Sequence, residues 1–254
     1  MGVAGKTAIV TGGASGIGEA IVRLFASSGA KMMIADRNGE DADRLAAQLQ
    51  NAGADVAAMH TDVSREEEVK ELVQGTLQRF GQIDVVVNNA ASIMPKYLEE
   101  FLEEEWDRMF NVNLKSVFLV IKHSIAELKK TRGSVVNMSS LNGLVGQRMN
   151  PAYAATKGGI VALTKSLALD YAPYGVRVNS ICPAGVDTPL LQQWIRRQDD
   201  PAAVVQELND MHALGRPATA AEIAQAALFL AGAESGFITG VALPVDGGAS
   251  LGYS

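Results

Sequence analysis

The sequence has little of what several classes of protein require. It holds a single cysteine, Cys182, among 254 residues, so an internal disulfide is impossible. Its three histidines, His60, His123 and His212, are far apart in the sequence and do not indicate a metal site. Aromatic residues make up only 6% of the chain, whereas 48% is hydrophobic, so we expect a large aliphatic core. Neither redox-thiol nor metal chemistry is indicated.

Long apolar runs and a concentrated positive charge are also missing. No window approaches the roughly 20 consecutive apolar residues of a membrane-spanning helix, and the first residues lack the basic-then-apolar layout of a secretory signal. The net charge of −6 is spread along the chain. Nucleic-acid binding requires a concentrated basic face, so this distribution argues against it. We therefore expect a soluble, cytoplasmic protein that binds neither nucleic acid nor membrane.

Short aliphatic runs alternate with longer segments of helical periodicity, a pattern typical of a parallel sheet with crossover helices. The predicted strands are 7–11, 31–35, 55–60, 84–88, 134–138, 176–181 and 241–245. The predicted helices are 16–28, 40–52, 65–80, 101–130, 152–172 and 219–233, with a less regular helical stretch at 188–213. No linker interrupts the pattern. The sequence therefore predicts one α/β domain over 1–254, a doubly wound parallel sheet of about seven strands with helices on both faces.

The segment TGGASGIG, residues 11–18, places four glycines directly after the first predicted strand. In a strand–loop–helix unit, missing side chains allow a pyrophosphate to approach the backbone, and the helix N-terminus favours its negative charge. The spacing of Gly12, Gly16 and Gly18 differs from the common G-x-G-x-x-G pattern. Taken alone, such a loop can also be a flexible turn.

Two aspartates strengthen the dinucleotide interpretation. Asp36 ends the second predicted strand, where a carboxylate accepts hydrogen bonds from an adenosine ribose and repels a 2′-phosphate. Asp62, followed by Val63, ends the third, where we expect contact with the adenine ring. Either aspartate alone could be a turn former or a helix cap. With the glycine loop, they predict a dinucleotide site.

Over its full length the sequence resembles the short-chain dehydrogenase/reductases. TGGASGIG matches the TGxxxGxG motif of that family, Asn88-Asn89-Ala90 matches NNAG, and Tyr153 with Lys157 matches YxxxK. Further matches are Asn113 in NVNLKSVF, Ser140 in VVNMSSLNG, NSICP at 179–183, Thr188 in VDTPL, and TGVALPVDGGAS near the end. The resemblance implies a Rossmann-type fold and an enzyme that interconverts alcohols and ketones with a nicotinamide cofactor.

The resemblance also implies a catalytic tetrad of Asn113, Ser140, Tyr153 and Lys157. Tyr153 and Lys157 are four residues apart in a predicted helix and therefore share a face. We expect the ammonium and the positive nicotinamide to lower the pKa of the phenol, so that Tyr153 acts as general base. In the family pattern Ser140 binds the substrate oxygen, Lys157 the nicotinamide ribose, and Asn113 a relay water. Strand alternation and the family spacing select Ser140 over Ser139.

The predicted cofactor is NAD. Asp36 is present, and Ser15 stands where NADP-dependent relatives usually carry a base, although Arg37 could instead pair with a 2′-phosphate. We interpret Arg37 as stacked on adenine or exposed. The predicted cofactor-binding residues are Gly12, Ser15, Gly16, Ile17, Gly18, Asp36, Arg37, Asp62, Val63, Asn89, Ala90, Tyr153, Lys157, Pro183, Val186 and Thr188.

The chain departs from the family pattern at two places. Ala91 replaces the glycine of NNAG, and Ala184 precedes Gly185 where the family has Pro-Gly. Both sites are expected beside the nicotinamide half of the cofactor. Each added methyl either reshapes the pocket or is absorbed by it, and the intact tetrad argues that catalysis survives.

The predicted substrate-binding residues are Ser140, Arg148 and Tyr153, and the segment 188–213 is expected to cover the substrate. Arg148 precedes Tyr153 by five residues, and its guanidinium could bind a carboxylate through two hydrogen bonds. The alternative is a surface arginine at a subunit boundary. The polar neighbours that favour a sugar are Asn142, Gln147, Asn150, Gln192 and Gln193. The apolar ones that leave other substrates open are Met94, Leu144, Met149 and Trp194.

The stretches YGVRVNSICPAGVDTPL and PVDGGASLGYS resemble those of family members that act on sugars and their breakdown products. With Arg148, this resemblance implies NAD-dependent oxidation of a secondary alcohol on a sugar-derived acid such as 2-keto-3-deoxy-L-fuconate. The alternatives are a dehydrogenase of L-fucose or another neutral sugar or polyol, a 17β-hydroxysteroid dehydrogenase, and a 3-oxoacyl carrier-protein reductase. Outside the enzymes, an NAD-sensing binding module remains. The resemblance further implies a homotetramer packed through the predicted helices 101–130 and 152–172 and through the last strand and tail, with residues 251–253 extending toward a neighbouring active site.

Overall fold

A computed structural model describes residues 2–251, apart from the side chain of Leu190. The tail contact expected for residues 251–253 therefore lies outside the described residues, except for Leu251. The strands are β1 (Thr7–Thr11), β2 (Lys31–Asp36), β3 (Val56–His60), β4 (Val85–Asn88), β5 (Ser134–Met138), β6 (Arg177–Pro183), β7 (Val186–Asp187), β8 (Ala218–Thr219) and β9 (Ala242–Val245). Seven of them form one parallel sheet in the order β3-β2-β1-β4-β5-β6-β9, which confirms the predicted doubly wound architecture.

Helices cover both faces of this sheet. They are α1 (Gly16–Ser27), α2 (Gly39–Asn51), α3 (Glu66–Phe80), α4 (Glu103–Phe110), α5 (Ser116–Thr131), α6 (Pro151–Tyr171), α7 (Pro189–Ile195), α8 (Pro201–Asp210) and α9 (Ala220–Ala231). Short 3₁₀ turns occur at Leu98–Glu100, Leu141–Gly143, Ala172–Tyr174 and Ala233–Ser235. Among the described residues, no helix is both long enough and apolar enough to cross a membrane.

The core has one apolar layer on each side of the sheet. Ala8 and Val10 of β1 pack with residues of α1, α2 and α9, whereas Ile9 packs with residues of α3, α5 and α6. Successive residues of a strand point to opposite faces of the sheet. Because helices cover both faces, all three side chains are fully buried. A parallel strand covered on both faces reads as a continuous apolar run, which is why β1 was recognisable in the sequence.

The predicted helix 101–130 is wrong in detail, because it is two helices. A π-helical turn, Asn111–Lys115, separates α4 from α5. Its side chain at Asn113 is hydrogen-bonded to Ser92, outside the helix, and to Thr156 of α6. These are non-local contacts, and the periodicity of one segment does not detect them. The stretch 188–213 is more regular than expected, since it contains α7 and α8.

The strand order places a crevice at one edge of the sheet. The order reverses between β1 and β4, which are neighbours although distant in sequence. In doubly wound sheets, ligands bind beyond the carboxyl ends of the strands at this reversal. The glycine loop leaves β1 at that edge, and β6 ends at the same edge before the chain enters α7 and α8.

Candidate active site

A cleft of about 600 Å³ lies beyond the carboxyl ends of β1 and β4. The predicted cofactor residues that line it are Gly12, Ser15, Gly16, Ile17, Asp36, Arg37, Asp62, Val63, Asn89, Ala90 and Thr188. The structure thus brings the glycine loop together with three strand ends and the start of α7. The cleft is large enough for a sizeable ligand.

The glycine loop has little room for side chains. Gly12 and Gly16 adopt φ values of 61° and 54°, in the left-handed region that favours glycine. Gly18 does not line the cleft, but a Cβ there would lie 2.0 Å from the carbonyl oxygen of Gly12. Ser15 precedes α1 without making a side-chain capping hydrogen bond, which leaves the first backbone N–H groups of the helix open to an anion.

The end of β4 is fastened to the glycine loop. The Asn89 side chain donates to the carbonyl oxygens of Thr11, at 3.1 Å, and Gly12, at 3.0 Å. The Thr11 hydroxyl accepts from the backbone N–H groups of Asn89, at 3.0 Å, and Ala90, at 3.1 Å. Asn89 therefore shapes the cleft wall, and Thr11 is a functional partner that the sequence analysis did not single out.

Asp36 is held in place by two backbone groups. Its Oδ2 accepts from the N–H of Ala14 at 3.0 Å, and its Oδ1 from the N–H of Asn38 at 2.9 Å. Each carboxylate oxygen has a further lone pair, so the group can accept more hydrogen bonds. Asp36 therefore orients the glycine loop and still presents acceptors to the cleft.

Asp62 lies across the cleft in a turn after β3. Burial raises its pKa, but hydrogen bonds from Ser64 and the charges of Arg37 and Arg65 outweigh this effect, and the pKa of Asp62 falls below its ordinary value. Its backbone N–H donates to Glu68 at 2.7 Å. The Arg37 side chain is exposed at the edge of the cleft. Asp62 is therefore charged and rigidly placed at neutral pH.

Ser140, Tyr153 and Lys157 come together beside β5, as predicted, although they do not line the 600 Å³ cleft. Ser140 follows β5, and its hydroxyl lies near enough to the Tyr153 phenol to lower the pKa of that phenol. The Lys157 ammonium lies 5.4 Å from the centre of the Tyr153 ring and donates to the Met138 carbonyl at 2.7 Å. Lys157 is 2% exposed, so this carbonyl partly offsets the cost of its burial.

The protein's own groups raise the pKa of the phenol. Burial raises the pKa of Tyr153 to about 12, against a smaller lowering by Ser140, and Lys157 does not counteract it. Burial also lowers the pKa of Lys157 to about 8. Among the protein's own groups, desolvation dominates the pKa of Tyr153, and the expected lowering by the ammonium together with the nicotinamide stays a prediction.

The two neighbouring serines have different surroundings. The Ser139 hydroxyl is buried and donates to the Lys157 carbonyl oxygen at 2.9 Å, which joins β5 to α6. The Ser140 hydroxyl accepts from the N–H of Asn142 at 3.2 Å and is partly exposed. Of the two, only Ser140 is placed to meet both Tyr153 and a substrate.

The Asn113 side chain is hydrogen-bonded on both sides of the π-helical turn. Its Oδ1 accepts from the N–H of Ser92 at 2.8 Å, and its Nδ2 donates to the Ser92 carbonyl at 2.9 Å and to the Thr156 hydroxyl at 3.2 Å. Thr156 in turn donates to the carbonyl of Tyr153 at 2.8 Å. The side chain thus holds the π-helical turn against α6, and the relay water expected at Asn113 stays a prediction.

Three further predicted residues, Pro183, Val186 and Arg148, do not line the cleft, whereas Thr188 does. Pro183 and Val186 are buried around the turn between β6 and β7. Thr188 caps α7 by accepting from the N–H of Leu191 at 3.3 Å. Arg148 is exposed on the loop before α6 and does not line the cleft. The structure therefore places Arg148, the residue predicted to bind a substrate carboxylate, outside the cleft.

The sequence analysis did not assign several residues that line the cleft. These residues are Thr61, Ser92, Ile93, Glu105, Arg108, Met109, Val112 and Pro189, while Ala91 and Met94, which the sequence analysis did name, also line the cleft. The methyl of Ala91, noted as a departure from NNAG, is therefore in the cleft. Glu105, Arg108, Met109 and Val112 follow helical spacing, which could have identified them as one face.

Comparisons with known proteins agree with this geometry. The profile of a family described as "Enoyl-(Acyl carrier protein) reductase" (adh_short_C2) matches residues 12–250. L-fucose dehydrogenase of Bos taurus is 43% identical over 98% of this chain and 91% of its own. A 2,5-dichloro-2,5-cyclohexadiene-1,4-diol dehydrogenase of Sphingobium indicum is 38% identical over 98% of both chains. The crystal structure of levodione reductase superposes with a TM-score of 0.94 at 30% identity, covering 99% of this chain and 100% of that one.

The family profile spans most of the chain, and the related dehydrogenases align with it almost from end to end. The sheet order and the reductase structure agree with that alignment. The protein therefore belongs to the short-chain dehydrogenase/reductase family and is an oxidoreductase that uses a nicotinamide cofactor.

Proposed function

We propose that the protein catalyses NAD-dependent oxidation of a secondary alcohol on a sugar. The observation that carries the proposal is the buried Lys157 ammonium 5.4 Å from the centre of the Tyr153 ring, with Ser140 near the same phenol. The relatives add the substrate class, because one is named for L-fucose and another for a cyclic diol. The site residues and the two relatives together favour a dehydrogenase of polyhydroxylated compounds.

The cleft fits a dinucleotide. The open first turn of α1 and the glycine loop suit its pyrophosphate, and Asp36 suits the adenosine ribose. We propose NAD over NADP because the carboxylate of Asp36 would lie against a 2′-phosphate, while Ser15 offers no charge to balance that phosphate. When bound, the oxidised cofactor accepts a hydride and brings one positive charge to the site.

Three side chains perform the proton chemistry. Tyr153 takes the hydroxyl proton of the alcohol, and Ser140 donates a hydrogen bond to the same oxygen as negative charge develops there. Lys157 holds positive charge beside the phenol. Because burial raises the pKa of Tyr153 to about 12, the phenolate is favoured at alkaline pH. We expect the rate of alcohol oxidation to rise with pH above neutrality, and ketone reduction to proceed at neutral pH.

The sugar-derived acid, which led the predictions from the sequence, becomes the second candidate here, and Arg148 is the residue that favours it. Its guanidinium is exposed on the loop that leads into α6, and no described carboxylate pairs with it. A substrate that extends beyond the cleft would bring a carboxylate to this loop. The acid 2-keto-3-deoxy-L-fuconate therefore tests Arg148, whereas L-fucose does not.

The test is the initial rate of NADH formation by the purified protein with L-fucose and with 2-keto-3-deoxy-L-fuconate at matched concentrations. Each substrate is also measured with NADP. We expect turnover of at least one of them and a preference for NAD. Preference for the acid would support Arg148 as a ligand, and preference for L-fucose would make it a surface residue.

Other outcomes point to other functions. Equal kcat/KM with NADP and NAD would contradict the choice of cofactor. Activity on neither substrate would direct the assay to steroid alcohols and 3-oxoacyl carrier proteins. NADH binding without turnover of any alcohol would instead indicate an NAD-sensing module.

We also propose a homotetramer. An apolar groove of about 600 Å³ between α5 and α6 is lined by Leu114, Phe118 and Leu163, and Phe118 is 49% exposed. Elsewhere Leu169 and Phe237 are strongly exposed. A second copy of the chain would cover such surfaces. Light scattering during size-exclusion chromatography should give four chains per particle, and Phe118→Glu should reduce that number.

A further inference from the structure

His212 is a buried histidine that the proposed chemistry does not use. It follows α8 and is 3% exposed. Its Nδ1 lies 2.6 Å from the carbonyl oxygen of Leu208, and its Nε2 lies 3.2 Å from the backbone nitrogen of Gly185. A carbonyl only accepts and an amide N–H only donates, so Nδ1 carries the proton and Nε2 is a bare acceptor. Both contacts thus require the neutral ring in one tautomer.

Through these two hydrogen bonds, the His212 ring joins α8 to the turn between β6 and β7. Leu208 belongs to α8, within the segment 188–213 that is expected to cover the substrate. Gly185 belongs to the turn between β6 and β7, which is expected beside the nicotinamide. The carbonyl of Gly185 also accepts from Ala218 at 2.9 Å, so the turn is held from two sides. The hydrogen bond from the Gly185 N–H to His212 joins this turn to the segment 188–213.

The backbone at 185 leaves no room for a side chain beneath the ring. A Cβ on Gly185 would lie 3.0 Å from Cε1 of His212, a distance tighter than ordinary contact. This close packing lies at one of the two departures from the family pattern. The glycine that follows Pro183 in the family is displaced by one position here, and the displaced Gly185 provides the surface on which His212 packs.

A third segment, the residues after β9, also lies against the His212 ring. The N–H of Leu214 donates to the carbonyl of Gly247 at 3.0 Å, and a Cβ on Gly247 would lie 3.4 Å from Cδ2 of His212. The residues after β9 therefore pack on the same ring as the turn after β6. Movement of α8 cannot occur without breaking these contacts.

We propose that His212 is a positioning residue that fastens the substrate-covering segment 188–213 to the turn 183–186. The proposal rests on the proposed function for its kinetic consequence, since the turn and the segment are assigned to the nicotinamide and substrate sides. Its structural part, a hydrogen-bonded lock between α8 and Gly185, can be measured without turnover.

The test compares two substitutions at one position. His212→Gln retains a donor and an acceptor, whereas His212→Leu retains bulk and loses both. For each variant we would measure KM for NAD and alcohol, kcat, the Kd for NADH, the Tm, and hydrogen exchange of the peptide that covers residues 183–187. One neutral hydrogen bond corresponds to roughly a two- to tenfold change in binding.

We expect His212→Leu to raise KM for the alcohol and the Kd for NADH by about that factor, and to accelerate exchange at 183–187. His212→Gln should recover most of both effects. If His212→Leu does not fold, Gly185→Ala displaces the ring without altering it and should produce the same changes.

The proposal is overturned if exchange at 183–187 is unchanged in the folded variants. It is equally overturned if Tm falls while KM and Kd stay constant, because His212 would then be only a core residue. Absence of turnover and NADH binding in the unaltered protein would instead refute the proposed function, and the exchange measurement would still test the lock.

Discussion

The cofactor cleft and the substrate-facing segments are built differently. Around the cleft, Thr11, Asp36 and Asn89 bond to backbone groups of neighbouring strands and loops, close to fully buried strand residues. On the substrate side, residues 144–149 are all exposed, and Gly146 has no neighbour within 4 Å of a Cβ. Several hydrogen bonds hold Thr11, Asp36 and Asn89 of the first region in place. In the second region, side chains can be replaced without disturbing the sheet. We therefore expect the chemistry to depend on the residues fixed by the fold, and substrate choice to depend on the exposed segments.

The largest effect should come from the residue that links the two regions. Tyr153→Phe removes the proton acceptor but preserves the ring, so kcat should fall by about 10³. NADH binding should remain close to that of the unaltered protein, because the cleft contacts do not involve the phenol. Stopped-flow turnover and fluorescence titration measure the two quantities.

The exposed Tyr97→Phe is the matched control for this substitution and should leave kcat unchanged. Retention of more than a tenth of the activity by Tyr153→Phe would show that another group takes the proton.

Substitution of one glycine in each region, Gly18 and Gly146, tests the difference between the cofactor cleft and the exposed loop. In Gly18→Ala, the new methyl would lie 2.0 Å from the Gly12 carbonyl, so the loop must move and NADH binding should be lost. Gly146→Ala adds the same methyl in open space, without a left-handed φ. It should leave Tm and the Kd for NADH unchanged.

The measurement for both glycines is Tm together with isothermal titration of NADH. Normal NADH binding by Gly18→Ala would mean that the loop is as adaptable as the substrate side, and the contrast between the two regions would disappear.

The same contrast explains what could be predicted from the sequence. The seven sheet strands and the residues Gly12, Asp36 and Asp62 were recognisable because local apolar runs and short motifs encode them. The π-helical turn at 111–115 and the bonds of Asn113 were not recognisable, because they depend on Ser92 and on α6. For the same reason, nothing around His212 in the sequence indicates its contact with Gly185.

Asp36 allows the cofactor preference to be altered without touching the chemistry. Asp36→Ala removes a negative charge from the proposed ribose site, so the ratio of kcat/KM for NADP to that for NAD should rise by about ten- to hundredfold. Asp43→Ala, on the exposed face of α2, is the matched loss of one carboxylate and should leave the ratio unchanged. An unaltered ratio in Asp36→Ala would place the adenosine ribose elsewhere.

Lys157 predicts how stability depends on pH. Its pKa is about 8 in the folded protein, against 10.5 for an ordinary lysine, so between these values the unfolded chain binds more protons. The contribution of Lys157 to the free energy of unfolding should therefore increase with pH, by about 2 kcal/mol from pH 7.5 to 9.5. Above pH 10 the raised pKa of Tyr153 acts in the opposite direction.

Urea unfolding of the unaltered protein and of Lys157→Met at both pH values isolates this contribution. A difference in unfolding free energy that stays constant with pH would mean that the ammonium is better solvated than its burial indicates.

The smallest effect is expected on the exposed loop. Arg148→Ala should raise KM for 2-keto-3-deoxy-L-fuconate by about two- to tenfold, the contribution of a partly solvated ion pair, and leave KM for L-fucose unchanged. Arg197→Ala removes an equally exposed guanidinium from the segment 188–213 and serves as the control. Equal KM values for the acid in all three proteins would exclude Arg148 as a ligand. A selective loss would show that one residue outside the cleft can alter substrate choice while the contacts of Asp36 and Asn89 stay intact.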